Sequence, residues 1–209
     1  MNTQRKVSYN IIMDQVLRHV YYKMGQLATH EKVITDCLYE PIGPIHFLDA
    51  MEALRNVGKL SGGVKFLDLG AGLGNVISLL RSYVHHFNLE IFADIKGVEK
   101  DPRLVDMGRE IVGDALILGD MMRIELKGYN ILHFFNALAY NREAHNKFMQ
   151  RLIDETTENQ ILMLAVSDTK MLVDTQRFEI LQPPAPLVGE GTEKSLLLRQ
   201  DYYHILIRK

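Results

Sequence analysis

Ten residues constrain this chain more than any others: Phe66-Leu67-Asp68-Leu69-Gly70-Ala71-Gly72-Leu73-Gly74-Asn75. A short apolar run ends at an acidic residue and a glycine turn, and a helix-forming run follows. Glycine reaches positive φ without a Cβ penalty and lets another molecule approach the backbone closely. The first turn of the helix that follows carries N–H groups with no partner inside the helix. The segment therefore predicts a strand, a turn able to hold a ligand, and a helix.

The same alternation continues downstream. Val64 to Leu69 reads as a strand and Asn75 to about His86 as a helix. Ile91 to Val98 is a second strand. Pro102 opens a helix that ends near Gly113, with proline in the first turn, where its missing N–H costs little. Ala115 to Leu118 and Asn130 to Phe135 are the third and fourth strands, Asn141 to about Thr156 is a helix, and Gln160 to Val166 is a fifth strand. Strands separated by helices imply a parallel sheet with right-handed crossovers.

The ending differs. Arg177 to Leu181 and Asp201 to Arg208 read as strands around Pro183-Pro184-Ala185-Pro186 and the polar stretch Gly189 to Ser195. Without helix periodicity there, they are expected to pair antiparallel and close the sheet edge. The expected class is α/β: a Rossmann-like, seven-stranded, mostly parallel sheet with an antiparallel terminal strand and an N-terminal helical addition. In that addition, Val7 to about Leu38 carries an apolar stripe through Val7, Ile11, Ile12, Val16 and Val20. Pro41, Gly43 and Pro44 form a break, and Ile45 to about Val57 is a second amphipathic helix with Ile45, Leu48, Met51 and Leu54 on one side. Residues 1–60 are expected to form a helical cap and residues 61–209 the ligand-binding domain, as one compact unit.

Two ligand classes use such a glycine turn. Dinucleotides prefer glycines at its first, third and sixth positions. Here they occupy the first, third and fifth, and Asn75 stands sixth. Asp68 weighs more. A carboxylate facing a pyrophosphate at about 4 Å, with an effective dielectric near 20, is repelled by roughly 4 kcal/mol per charge pair. S-adenosylmethionine (SAM) carries no phosphate but an ammonium and a sulfonium, so the same carboxylate attracts it. Another nucleotide, or a tight turn with no ligand, is the alternative.

Glu99 ends the second strand, 25 residues after Gly74. A carboxylate there can accept hydrogen bonds from both ribose hydroxyls in either ligand class; the alternative is a surface ion pair with Lys100 or Arg103. Asp120, in Leu118-Gly119-Asp120-Met121, can accept from an adenine amino group while the Met121 thioether packs on the ring. Its alternative is a cap on the following turn.

Composition narrows the remaining classes. Cys37 is the only cysteine, which excludes an intramolecular disulfide and argues against a cysteine-based zinc site. His30, His85 and His86 show no ligand spacing with carboxylates, and no metal is expected. With 24 basic and 26 acidic residues, there is no general attraction to nucleic acid or anionic membrane. No run approaches the roughly 20 apolar residues of a membrane span, and Met1 to Lys6 has no signal-like apolar run behind it. A cytoplasmic location is expected.

Taken as a set, the elements from about Val64 to Val166 resemble the class I SAM-dependent methyltransferases. A finer likeness lies at the fourth strand. Phe134-Phe135-Asn136-Ala137-Leu138-Ala139-Tyr140 is similar to the Phe-Val-Asn-Asn-Phe-Ala-Phe stretch of the non-SET histone lysine methyltransferases, the disruptor-of-telomeric-silencing family. Asp68 to Asn75, Gly97 to Lys100 and Gly119 to Met121 agree with that family's motifs, and Tyr39 in Tyr39-Glu40-Pro41 is similar to its loop tyrosine. The resemblance implies SAM contacts at Asp68, Gly70, Asn75, Glu99, Lys100, Asp120 and Met121; the other turn residues, Ala71, Gly72 and Gly74, are expected to line the same ligand, with Tyr39 near it. It implies a methyl-transfer position at Asn136, with Tyr140 lining the acceptor channel. The chain departs from the family at Ala137, where a second asparagine is usual, in lacking Gly-Glu after Tyr39, and in lacking a lysine-rich nucleosome-binding tail. Smaller relatives that methylate lysine in non-histone proteins are the closer analogy.

An amine acceptor must be neutral when it attacks, and an apolar channel disfavours its charged form. Asn136 cannot act as a base but can orient the amine; its alternative is a helix cap before Asn141. Tyr140, Phe134 and Phe135 can supply aromatic walls, although alternation across the sheet sends at least one phenylalanine into the core. His133 and His145 are candidate general bases for an alcohol or phenol, or satisfied structural histidines. The prolines of the DNA adenine methyltransferase motif are missing after Asn136. The expected function is SAM-dependent N-methylation of a protein lysine, with S-adenosylhomocysteine (SAH) as product. The alternatives are a small-molecule methyltransferase, with a small amine among its acceptors and the N-terminal helices as a lid, and a non-catalytic SAM-binding module.

Overall fold

Period-two alternation gives each strand two faces, and both are covered by helices. The computed structural model describes residue 11 and residues 44–135, 141–165, 176–181 and 204–209. Its strands are β1 (Val64–Leu69), β2 (Phe92–Glu99), β3 (Leu116–Leu118), β4 (Ile131–Phe135), β5 (Ile161–Ala165), β6 (Phe178–Leu181) and β7 (His204–Arg208). Its helices are α1 (Pro44–Asn56), α2 (Asn75–His86), α3 (Pro102–Val112) and α4 (Arg142–Glu155), with a 3-10 turn at Gly113–Ala115.

The strands form one seven-stranded sheet in the order β3-β2-β1-β4-β5-β7-β6. β1 to β5 are mutually parallel, and β7 runs antiparallel to both β5 and β6. The Rossmann-like, mostly parallel sheet with an antiparallel ending is thus the fold adopted. From β1 the chain winds outward through β2 to β3, then returns to β4 on the other side of β1. The winding reverses between β1 and β4. At such a switch point the loops leaving the carboxyl ends diverge to opposite faces and open a crevice.

On one face, Phe66, Ile131 and Met163 pack with Phe47, Leu48, Met51 and Leu54 of α1 and with Leu79, Leu80 and Tyr83 of α2. On the other, Leu67, Leu132, Phe134 and Leu162 pack against Phe148, Met149 and Leu152 of α4. α3 covers β3 through Val105, Val112 and Leu116. The Phe47 ring meets Phe66 edge-on at 6.2 Å between centroids. Truncating a fully buried phenylalanine of this kind costs about 3–5 kcal/mol, so α1 belongs to the core of the sheet. Apart from Ile11, the helical region expected between Val7 and Leu38 lies outside the described residues.

Local chemistry sets the helix ends. Asp101 caps α3 by accepting from Arg103 N–H, with Pro102 beside it in the first turn. Asn141, expected inside α4, instead caps it, its side chain accepting the Ala144 N–H at 3.0 Å. Ala115, expected in β3, sits in the 3-10 turn. The buried Gln160 amide donates to the carbonyls of Leu126 and Tyr129, both at 2.8 Å, and so fixes the loop that enters β4.

Candidate functional site

The glycine turn lies at the carboxyl end of β1, beside the switch point. Gly70, Gly72 and Gly74 have φ of 78°, 55° and 79°, the left-handed region that glycine enters without strain. The Gly70 and Ala71 N–H groups donate to Val98 O at 3.0 and 2.9 Å, which ties the turn to the end of β2. This close approach needs Gly97. A Cβ there would lie 2.6 Å from Ala71 Cβ and 2.7 Å from Ile77 Cδ1. Gly74 supplies no side-chain cap to α2, so the first-turn N–H groups of that helix border the turn without one.

Glu99 reaches into the turn from β2. Its Oε2 accepts the Gly72 N–H at 2.9 Å and its Oε1 the Asp101 N–H at 2.9 Å. Arg103, one of the cations considered for it, pairs instead with Asp101, Nη2 to Oδ2 at 2.6 Å. That bond holds the Asp101 carboxyl below the usual carboxylate range. A carboxylate offers about four lone-pair sites, so Glu99 keeps acceptor capacity beyond these two bonds.

Asp68 is buried to 2 % exposure. Parallel register sets it opposite His133 of β4, and Asp68 Oδ1 lies 2.7 Å from His133 Nδ1. The other oxygen, Oδ2, is buried and finds no hydrogen-bond partner among the described residues. His133 is fully buried, stacked on Phe66 with centroids at 6.0 Å and edge-on to Phe47 at 5.8 Å. Sequence reasoning admitted His133 as a base but missed this pairing, which depends on the order of the strands.

At the next strand end, the Gly119 N–H donates to Glu99 O at 2.9 Å. Asp120 Oδ1 accepts the Met122 N–H at 2.9 Å and so caps the following turn, and Oδ2 lies 3.8 Å from Arg123 Nε. Arg151 of α4 clamps this turn from below, Nη1 to Met121 O at 2.6 Å and Nη2 to Ile124 O at 2.5 Å. Leu118 stands 52 % exposed beside it, an apolar surface that the motif reading passed over.

The structure therefore gathers Asp68, Gly70, Ala71, Gly72, Gly74, Asn75 and Glu99 at one place, with Lys100 next in chain and Asp120 and Met121 at the neighbouring strand end. Tyr39, Asn136 and Tyr140 lie outside the described residues. Phe134 is core, tilted on Phe148 at 5.0 Å, and His145 packs against the same ring at 5.9 Å. Among the described residues, no group of three histidine, cysteine or acidic side chains is disposed to hold a metal, and no helix is long and apolar enough to cross a membrane. A shallow depression of about 320 Å³, lined by Lys65, Asp94, Lys127 and Tyr129 among others, lies at the opposite end of the strands.

Neither a protein-family model nor a curated protein matches the sequence. Solved structures do match the fold. The plantazolicin methyltransferase BpumL, in complex with SAH, aligns with a TM-score of 0.53 at 13% identity over 99% of this chain and 96% of its own. The same enzyme with a monoazolic desmethylPZN analog and SAH gives 0.52 at 12% identity, over 97% and 95%. A SAM-bound amino pentose methyltransferase from Micromonospora echinaspora, involved in calicheamicin biosynthesis, gives 0.50 at 12% identity, over 84% and 100%. At these identities the likeness is one of fold, and it extends over nearly the whole of this chain.

Proposed function

We propose that this chain is a SAM-dependent methyltransferase acting on an amine nitrogen. The observation that carries the reading is Asp68 Oδ2, a buried carboxylate oxygen at the edge of a glycine turn that finds no partner among the described residues. Leaving such an atom unsatisfied costs on the order of 1–3 kcal/mol or more, and a ligand cation removes that cost. A phosphate there would meet like charge. The first-turn N–H groups of α2 suit a ligand carboxylate, and Glu99 suits vicinal hydroxyls. Asp120, Met121 and the exposed Leu118 suit an adenine edge and face. When bound, SAM supplies an electrophilic methyl group. The residues of the chain bind and orient it and exclude water. The fold likeness to SAM- and SAH-bound methyltransferases supports the same ligand.

For the acceptor, the resemblance at Asn136 and Tyr140 favours a protein lysine, with residues 1–60 capping the site and Tyr39 near it, in a cytoplasmic enzyme. A second reading is a small-molecule or peptide acceptor, favoured by the matched structures, which act on an amino pentose and on plantazolicin. Calorimetry of the purified protein with SAM, SAH, NAD and ATP tests the ligand: SAM and SAH bind, and a preference for NAD or ATP would overturn the proposal. Labelled SAM with cell lysate then separates the acceptors, since label confined to the low-mass fraction excludes the protein lysine.

A further inference from the structure

The buried histidine beside Asp68 has a task that the reading above leaves unassigned. We propose that His133 is a positioning residue for the cofactor's α-amine: it holds the Asp68 carboxylate so that Oδ2 is presented to the cation. This rests on the SAM reading. Strand register puts the two residues directly opposite one another, with Nδ1 2.7 Å from Oδ1. The imidazole plane is set by Phe66, stacked at 25°, and by Phe47, edge-on at 83°. A carboxylate turns readily about its terminal torsion, and one directed hydrogen bond to Oδ1 fixes where Oδ2 points. Histidine suits the task for a reason of charge. A lysine or arginine at this place would bring a fixed positive charge to compete with the ligand cation for Asp68, whereas an imidazole Nδ1–H donates one directed bond. Oδ2, which finds no partner among the described residues, is the atom that this arrangement leaves for a ligand.

The test compares SAH, which carries the amine, with 5′-methylthioadenosine, which lacks it. His133→Phe keeps the aromatic packing and removes the donor. His133→Asn places an amide N–H near the position of Nδ1. Calorimetry is expected to show His133→Phe weakening SAH about tenfold, the scale of one charge-assisted hydrogen bond, with methylthioadenosine unchanged within about twofold, well under that scale. His133→Asn recovers most of the SAH affinity. Equal losses for both ligands, or no loss for SAH, would overturn the proposal. Should His133→Phe fail to fold, wild-type protein decides through the Nδ1 proton resonance of His133: SAH is expected to shift it and methylthioadenosine to leave it. Identical responses to both ligands refute the role. Wild-type protein that binds neither compound refutes the SAM reading and this inference with it, whereas wild-type binding with equal losses in the variant refutes the inference alone.

Discussion

Replacing Glu99 by alanine should weaken the empty protein as well as the complex. The Glu99 carboxylate accepts the Gly72 N–H at 2.9 Å in a buried bond and the Asp101 N–H at 2.9 Å in a partly buried one. A hydrogen bond to a charged group contributes about 1.5–3 kcal/mol; taking about 2 for the buried bond and about 1 for the wetter one gives a loss near 3 kcal/mol. With a urea m-value of about 2–3 kcal/mol/M, the unfolding midpoint without ligand should fall by about 1–1.5 M. Ligand affinity should fall further as the ribose hydroxyls lose their acceptor, by about 1.5–3 kcal/mol or some 10- to 150-fold. Glu99→Gln keeps one acceptor oxygen and should lose roughly half of the ligand-free term. Urea denaturation of the ligand-free variants and SAH calorimetry read the two parts separately. A ligand-free midpoint for Glu99→Ala within about 0.2 M of wild type would show that the carboxylate does not hold the turn, and the reasoning fails at that step.

Gly97→Ala should destabilise the protein by about 1–3 kcal/mol through overpacking and lower SAH affinity, because the new methyl meets Ala71 and Ile77 at under 3 Å; unchanged thermal unfolding would refute the close approach. Arg151→Ala removes two guanidinium bonds to the Met121 and Ile124 carbonyls and should cost about 2–3 kcal/mol in urea unfolding. It should weaken methylthioadenosine as much as SAH, since the turn it holds borders the adenine side; a loss confined to SAH would contradict that placement. Asp101→Ala removes the α3 cap and should cost about 1 kcal/mol at neutral pH. The Arg103 bond lowers the folded pKa of Asp101, so its contribution is present above the ordinary carboxylate range and is lost as pH falls through the lowered value. The gap between wild type and Asp101→Ala should therefore close in acid, and a gap independent of pH would exclude the linkage.

The local grammar of this chain was legible without coordinates. β1, the glycine turn and α2 follow from neighbours in sequence, as do α3 opening at Pro102 and the alternating strands that imply a parallel sheet. The ends moved where a single side chain made the difference: Asn141 leaves the α4 helix to cap it, and Ala115 leaves β3 for a 3-10 turn. Asp120 was legible as a candidate with two possible tasks, and the structure adds the cap to Met122 and the clamp from Arg151, which comes from a helix 30 residues away.

Periodicity and turn chemistry act between residues a few positions apart, so the sequence alone determined the class of sheet, the place of the turn and the sign of the charge at its edge. Sheet order acts between residues far apart, and only the tertiary structure decided its consequences. It brought Glu99 to the Gly72 N–H across 27 positions and set His133 against Asp68 across 65, because β4 returns to lie beside β1. No local pattern encodes which oxygen of Asp68 is taken and which is left, since that depends on the neighbour a strand acquires only when the sheet closes.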